Sequence, residues 1–352
     1  QALGIEKPGE KSIRPVEEER GEEGNWDGAE EEGRTIKGQK NVEAPSQEEY
    51  EAHLRTHIPF KKWCPFCVKG KRVAEPHRVD KEKESREGVT IGIDYMWQKG
   101  ESHREKKEGK IVNEGGSMPT VVMNFSGEES DNWIASFVVP AKGPEDYAID
   151  AVGKEIERSG LTKMSVKSDQ EPAVTDLLND IARQRAAEFG TAIEQSKVGE
   201  SNSNSSVERA IQDVEGQVRT LRAALEMRLK QRIHLRSPVV PWMVRHAACL
   251  ISRCRVRENG HTSMTMMKGR QSHSTIAEFC ENVCFKIPKT KLNPGKFEDQ
   301  WDTGLYLGFD MRSTESLIGT PVGVFRVTDI VRKPDTERWS WDKVEGMRGS
   351  PK

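Results

Sequence analysis

Four residues of the kinds that bind metals fall within fifteen positions: His53, His57, Cys64 and Cys67. His53 and His57 lie in Glu49-Tyr-Glu-Ala-His-Leu-Arg-Thr-His57, a run of helix formers without Gly or Pro, which should end at Ile58-Pro59. On a helix, residues four apart share one face and can share one ion. Cys64-Pro-Phe-Cys67 places two thiols on a tight turn. Two imidazoles and two thiolates complete a tetrahedral shell with no position left for water, which is the pattern of a structural zinc site. The segment is too short to bury a core, so zinc would supply much of its folding energy. His77 could substitute for one ligand, at a poorer spacing.

The other cysteines, Cys249, Cys254, Cys280 and Cys284, are scattered, and nothing in their spacing suggests a disulfide scaffold. The chain is 34% hydrophobic and 32% charged over 352 residues. That is enough for two or three small cores, with part of the chain unfolded. Residues 1–48 read as a disordered acidic leader, since 1–50 hold 14 acids against 7 bases. By contrast, 219–257 holds ten Arg or Lys against the single acid Glu226. Such a stretch is either a phosphate-binding surface or a solvated helix face. No run of 18 apolar residues exists, so no membrane span is expected. The first residue is Gln1, and the chain reads as a fragment of something longer.

Beyond a charged linker at 71–88, Val89–Trp97, Met118–Phe125 and Trp133–Val139 are apolar or β-branched runs separated by polar loops, the signature of strands. Pro144–Ser159 should be helical, Met164–Asp169 a short strand, Pro172–Ala187 a second helix and Thr191–Gln195 another strand. Residues 197–206 form a polar loop. Val207, Ile211, Val214, Val218, Leu221, Leu225 and Leu229 then recur at helical spacing. This order predicts a mixed α/β domain over 89–256. Val283–Ile287, Gly304–Phe309 and Val322–Val327 predict a small all-β unit over 257–340, with Trp301, Tyr306, Phe309 and Phe325 in its core, and 341–352 as a tail.

Three acids occupy notable places. Asp94 sits inside the apolar strand Ile91-Gly-Ile-Asp-Tyr-Met, where a carboxylate is costly unless paired or metal-bound. Asp169 ends a later strand, although alone it reads better as a helix cap, since Pro172 and a helix follow. Glu208 opens the long helix, where an acid suits the helix dipole. A first-strand Asp, a later-strand Asp and an early-helix Glu can converge at one sheet edge. Clustered carboxylates repel unless cations lie between them, and two Mg2+ or Mn2+ ions would be held by such a trio.

With these residues in view, the chain resembles the integrases of copia-like LTR retrotransposons, within the retroviral integrase superfamily. His53–Cys67 resembles the family's zinc-binding segment. Asp94 in Ile-Gly-Ile-Asp-Tyr, Asp169 in Lys-Ser-Asp-Gln-Glu and Glu208 in Ser-Ser-Val-Glu-Arg look like its catalytic triad, with 38 residues between the last two. Gln300-Trp-Asp-Thr-Gly-Leu-Tyr-Leu-Gly308 and Leu317-Ile-Gly-Thr320 resemble the post-core region of copia-like polyproteins. The resemblance implies an α/β fold with an RNase H-like mixed-sheet core, an N-terminal zinc segment at 49–70 and a small C-terminal β (SH3-like) domain. It implies joining of 3′-hydroxyl DNA ends to target DNA by two-metal phosphoryl transfer, with Mg2+ or Mn2+ and structural Zn2+ as cofactors. DNA and further copies of the chain are the implied partners. Action in the nucleus follows from the substrate, with a cytoplasmic particle as the alternative.

Arg209, Arg219, Arg222, Arg228, Lys230 and Arg232 are the expected DNA contacts. The pattern also departs from the family. The string after the second Asp reads Gln-Glu-Pro, the spacing from His57 to Cys64 is short, and Gln212 and Glu215 stand where retroviral relatives carry DNA-gripping lysines. A catalytically decayed, DNA-binding remnant is therefore the alternative to an active strand transferase.

Overall fold

The computed structural model describes residues 42–72, 89–99, 102–104, 111–113, 117–127, 132–160, 163–168, 171–185, 190–195, 205–269, 276–288, 297–310, 313 and 315–351. The acidic leader up to Asn41, the linker at 73–88 with His77, and Asp169 lie outside the described residues. Most of the polar loop before Glu208 does so too.

Two short helices begin the described chain. Helix α1 (Gln47–Thr56) starts where the Ser46 hydroxyl accepts the Glu49 amide at 3.2 Å, and stops at His57, whose φ of 54° is left-handed. Helix α2 (Pro65–Lys71) has Cys64 at its N-cap and Pro65 in its first turn, where a missing N–H costs nothing. The thiol pair therefore opens a helix rather than sitting in an isolated turn.

A five-stranded mixed sheet follows. Its strands are β1 (Thr90–Lys99), β4 (Ser117–Ser126), β5 (Trp133–Val138), β6 (Lys163–Ser168) and β7 (Gly190–Gln195), in the order β5-β4-β1-β6-β7. Strands β2 (Ser102–Arg104) and β3 (Ile111–Asn113) pair separately. The β1–β4 and β4–β5 pairings are antiparallel, and the β1–β6 and β6–β7 pairings are parallel. Successive residues of β1 face opposite sides of the sheet. Ile91, Ile93 and Tyr95 join the core beneath α3 (Asp146–Ser159) and α4 (Pro172–Arg185), with Val152, Ile156, Leu177 and Ile181. Met96, on the other face, joins Val214, Val218 and Leu221 of α5 (Ser205–Leu229). Gly92 and Asp94 share that second face by their parity in the strand.

Helix α6 (Val239–Cys254) links this sheet to the C-terminal one. On one side, Ser136 Oγ donates to the Val244 carbonyl at 2.9 Å, and Ser252 Oγ accepts the Ile134 amide at 2.8 Å and donates to the Ile134 carbonyl at 2.9 Å. On the other side, the His246 ring stacks on Phe279 and meets the edge of Tyr306. Gly308, at φ 113°, leaves the room for His246: a Cβ there would stand 2.4 Å from Nδ1. Helix α7 (Ser263–Lys268) is capped by Thr262, and Ser263 bonds back to the Asn132 carbonyl.

The second sheet is wholly antiparallel. It holds β8 (Asn282–Lys286), β9 (Trp301–Phe309), β10 (Ser316–Thr320), β11 (Gly323–Val327) and β12 (Ile330–Arg332), in the order β11-β10-β9-β8-β12. A short 3-10 turn (Asp335–Glu337) and α8 (Trp341–Gly346) close the chain. Tyr306 and Phe309 are buried as expected, and Phe325 is half-buried. Trp301 is corrected from core to surface, at 41% exposure. Trp301 is the first residue of the central strand β9, whose burial starts only at Gly304, so it stands ahead of the part of the strand that the core covers. Among the described residues, no helix is long and apolar enough to cross a membrane.

Candidate metal centre and acidic site

The four candidate ligands converge. One donor atom from each of His53, His57, Cys64 and Cys67 lies within 4.8 Å of the others, and all four residues are buried. His53 Nε2 is 3.3 Å from Cys67 Sγ, and His57 Nδ1 is 3.5 Å from Cys64 Sγ and 3.9 Å from Cys67 Sγ. The His rings thus present different nitrogens, because His53 projects from α1 while His57 sits just past its end. The hydrogen bond between the two thiols lowers the pKa of Cys64 and raises that of Cys67, so the pair readily shares a single proton. Burial lowers the His57 pKa, keeping the ring neutral and able to donate a lone pair. A bound divalent cation would displace the remaining thiol proton. Two soft sulfurs and two imidazoles in a closed, buried cluster fit zinc.

The shell around these ligands is unusual. Metal-bound His rings ordinarily donate their second N–H to an oxygen. Here His53 Nδ1 and His57 Nε2 are buried without a hydrogen-bond partner among the described residues. Aromatic edges orient the rings instead: Trp63 meets His53 at 4.8 Å between centroids, and Phe66 meets His57 at 5.7 Å.

This metal segment is bolted to α5. Gln217 Nε2 donates to the Thr56 carbonyl at 2.8 Å, Arg219 Nε to the Gly70 carbonyl at 3.2 Å, and Thr220 Oγ1 lies 3.4 Å from the Phe66 carbonyl. Two glycines allow the approach. A Cβ on Gly70 would lie 2.2 Å from Thr220 Oγ1, and one on Gly216 would lie 3.3 Å from the Gly70 carbonyl oxygen.

The acidic site lies at the start of the same helix. Asp94 is half-buried in the middle of β1, and its Oδ1 accepts the Tyr95 amide at 2.7 Å. Two residues earlier on that face, a Cβ on Gly92 would stand 3.0 Å from Val207 Cβ. The first turn of α5 therefore rests on the strand face that bears Asp94. Glu208 follows Val207 in that turn and is exposed. The parallel register sets Ile93 beside Ser168, the residue before Asp169. Asp94 thus shares the sheet face on which the first turn of α5 rests, while Asp169 is outside the described residues.

On the opposite face of β1 from Asp94, beside Tyr95 and Trp97, stands a cation that sequence reasoning missed. Lys142 Nζ pairs with Glu171 at 2.6 Å and lies 5.0 Å and 5.2 Å from the Tyr95 and Trp97 ring centroids. Gly143 donates its amide to the Tyr95 hydroxyl at 3.0 Å. Lys142 lies in an unremarkable Pro/Gly loop, and nothing in the sequence singles it out.

Of the proposed DNA contacts, four are in ion pairs: Arg209 with Asp213, Arg219 with Glu215, Arg222 with Glu226, and Arg228 with Glu278. Arg228 also faces the Trp339 ring, so it joins α5 to the C-terminal region. Lys230 and Arg232 are exposed just past α5. Gln212 is exposed.

No family model matches the chain, and no curated protein matches it. Among solved structures, the chain is similar to an intasome of simian T-cell lymphotropic virus in complex with PP2A regulatory subunit B56 gamma. Identity is 12%, with a TM-score of 0.32, over 70% of this chain and 81% of that one. A likeness at that level carries no argument, and any functional reading rests on the residues themselves.

Proposed function

We propose that the chain is an integrase of the copia-like type, joining 3′-hydroxyl DNA ends to target DNA through Asp94, Asp169 and Glu208. One observation carries this reading: β1 presents Asp94 on the face where Val207 packs, while its parallel neighbour β6 ends one residue before Asp169. Three antiparallel strands followed by two parallel ones, with helices on both faces, support an RNase H-like core. A meander whose fifth strand returns to its first supports the SH3-like reading of the C-terminal sheet.

Carboxylate oxygens are the hard donors that Mg2+ and Mn2+ prefer. Such ions, when bound, activate an attacking water or 3′ hydroxyl and offset charge on the leaving oxygen. The chain's own part is positioning. The Tyr95 amide orients the Asp94 carboxylate, Gly92 sets the distance from strand to helix, and Glu208 is carried in the first turn of α5. The metal segment steadies α5 further along. DNA and further copies of the chain are the partners, with the nucleus as the place of action.

Joining of a labelled 3′-hydroxyl end to duplex DNA in Mn2+ should fall at least a hundredfold in Asp94→Asn, Asp169→Asn and Glu208→Gln. Retained joining in any of the three would remove that residue from the site. A second reading, a DNA-binding remnant without catalysis, draws support from α5, where Glu215 faces Arg219 in an ion pair at a position expected to grip DNA. DNA binding without joining or nicking in Mn2+ would favour it.

A further inference from the structure

The C-terminal sheet contains a cavity that the strand-transfer reading does not use. Its volume is ≈ 340 Å³, and its walls are mainly apolar, with Phe285, Ile287, Val322 and Phe325 among them. The Phe285 and Phe325 rings are stacked, with centroids 6.0 Å apart. Val322, at the mouth, is 83% exposed. A pocket of this size takes one large side chain or a small ligand.

One cation stands in this wall. Lys343, from α8, donates to Asn282 Oδ1 at 2.9 Å and to Thr303 Oγ1 at 2.6 Å. Both acceptors are neutral, and no carboxylate among the described residues lies within ion-pair distance of Lys343. The ammonium is thus held in place with one N–H left over. Asp302 also lines the cavity, but it is exposed and its Oδ1 accepts the Thr303 amide. Lys333, the other nearby cation, is paired with Glu337. A positioned ammonium beside an apolar cavity complements a ligand with an apolar body and an anionic end.

We propose that this cavity binds a peptide end: a bulky apolar side chain in the pocket, with the adjoining terminal carboxylate on Lys343. The exposed Val322 at the mouth favours a peptide over a free small acid, because only a chain running out of the pocket covers it. The reading is independent of the acidic site.

The test is ligand-observed NMR titration of the full chain with acetyl-Gly-Gly-Phe as the free acid and as its amide. The acid should bind at least tenfold more tightly. Lys343→Met should bring the acid down to the level of the amide, and Phe325→Ala should weaken both. Should Lys343→Met fail to fold, Val322→Glu, on the exposed rim, should repel the acid and spare the amide. Equal binding of acid and amide, or discrimination retained in Lys343→Met, would overturn the proposal. So would phenylpropionate binding as tightly as the peptide, or a single-stranded DNA oligonucleotide displacing the peptide at lower concentration.

Discussion

One substitution, made in two helices, tests how the metal segment is attached. In α3, Gly153 has nothing within 4 Å of where a Cβ would stand. Gly153→Ala should therefore gain the difference in helix propensity, about 0.5–1 kcal/mol. In α2, Gly70→Ala gains the same intrinsic term, but its Cβ would lie 2.2 Å from Thr220 Oγ1 and 2.9 Å from both the Gly216 oxygen and the Thr220 nitrogen. Two of those three atoms are backbone, so rotating Thr220 relieves only part of the clash. Overpacking of this kind costs about 1–3 kcal/mol, sometimes more. Displacing Thr220 also disturbs its bond to the Gly216 carbonyl at 2.8 Å, which is worth about 1 kcal/mol. The net for Gly70→Ala is then a loss of roughly 1–3 kcal/mol. Urea unfolding of the zinc-loaded chain should place the two variants on opposite sides of the parent. Gly70→Ala/Thr220→Ala should recover a fraction, not the whole, of the loss. A Gly70→Ala chain as stable as Gly153→Ala would refute the docking of α2 on α5.

Other outcomes follow from the same geometry. Chelation with phenanthroline, or Cys64→Ser, should lower the thermal midpoint and expose Trp63 to quenching, because two buried imidazoles and two thiols would lose the ion that offsets their burial; an unchanged midpoint after verified metal loss would sink the structural-zinc assignment. Gly92→Ala should cost under about 1 kcal/mol in stability, since Val207 must give by only a few tenths of an ångström, yet reduce strand joining at least tenfold by shifting Glu208; equal joining would separate Gly92 from the site. Burial, with Arg253 nearby, depresses the His246 pKa from 6.5 to about 3. A depressed folded value leaves stability intact above about pH 6.5 and erodes it as the pH falls from there towards 3, by up to roughly 4 kcal/mol. His246→Met should flatten the parent's stability loss over that window, as read by urea unfolding at pH 7 and 4.5; parallel losses in both chains would put the acid sensitivity elsewhere.

The elements most legible in sequence were the continuous apolar, β-branched runs of β1, β4 and β5, buried on both faces of the sheet, and the helical spacing of α5; the structure places them within a few residues of the expected bounds. The four candidate metal ligands were legible because their chemistry is local. Helix α6 was not singled out: its polar residues His246, Ser252 and Arg253 are themselves buried, so polarity in the sequence does not mark an exposed side, and from Val239 to Arg253 only Pro241 and Arg245 are less than buried. The basic stretch misleads for a related reason. Its charges look unopposed in sequence, yet Arg228 meets Glu278 fifty residues on, and Arg255 meets Asp213 forty-two residues back. Pairing over such distances is a property of the fold, and it removes part of the positive field that composition suggests.

The least legible features are also those that position the candidate site. Gly70, Gly92 and Gly216 lie in no motif, and a glycine in a strand or helix ordinarily reads as a weakness. At Gly70 and Gly216 two backbones come close together, and at Gly92 the Val207 side chain does. All three contacts involve α5: Val207 on Gly92 at its start, and Gly70 on Gly216 near its middle. Helix α5 is thus fixed at two points, one in the sheet that carries Asp94 and one in the segment that carries the metal ligands. Glu208 lies one residue from the first point and two helical turns from the second. Loss of the metal segment should therefore reach the acidic site as a loosening of α5, with Asp94 left where β1 and β4 hold it.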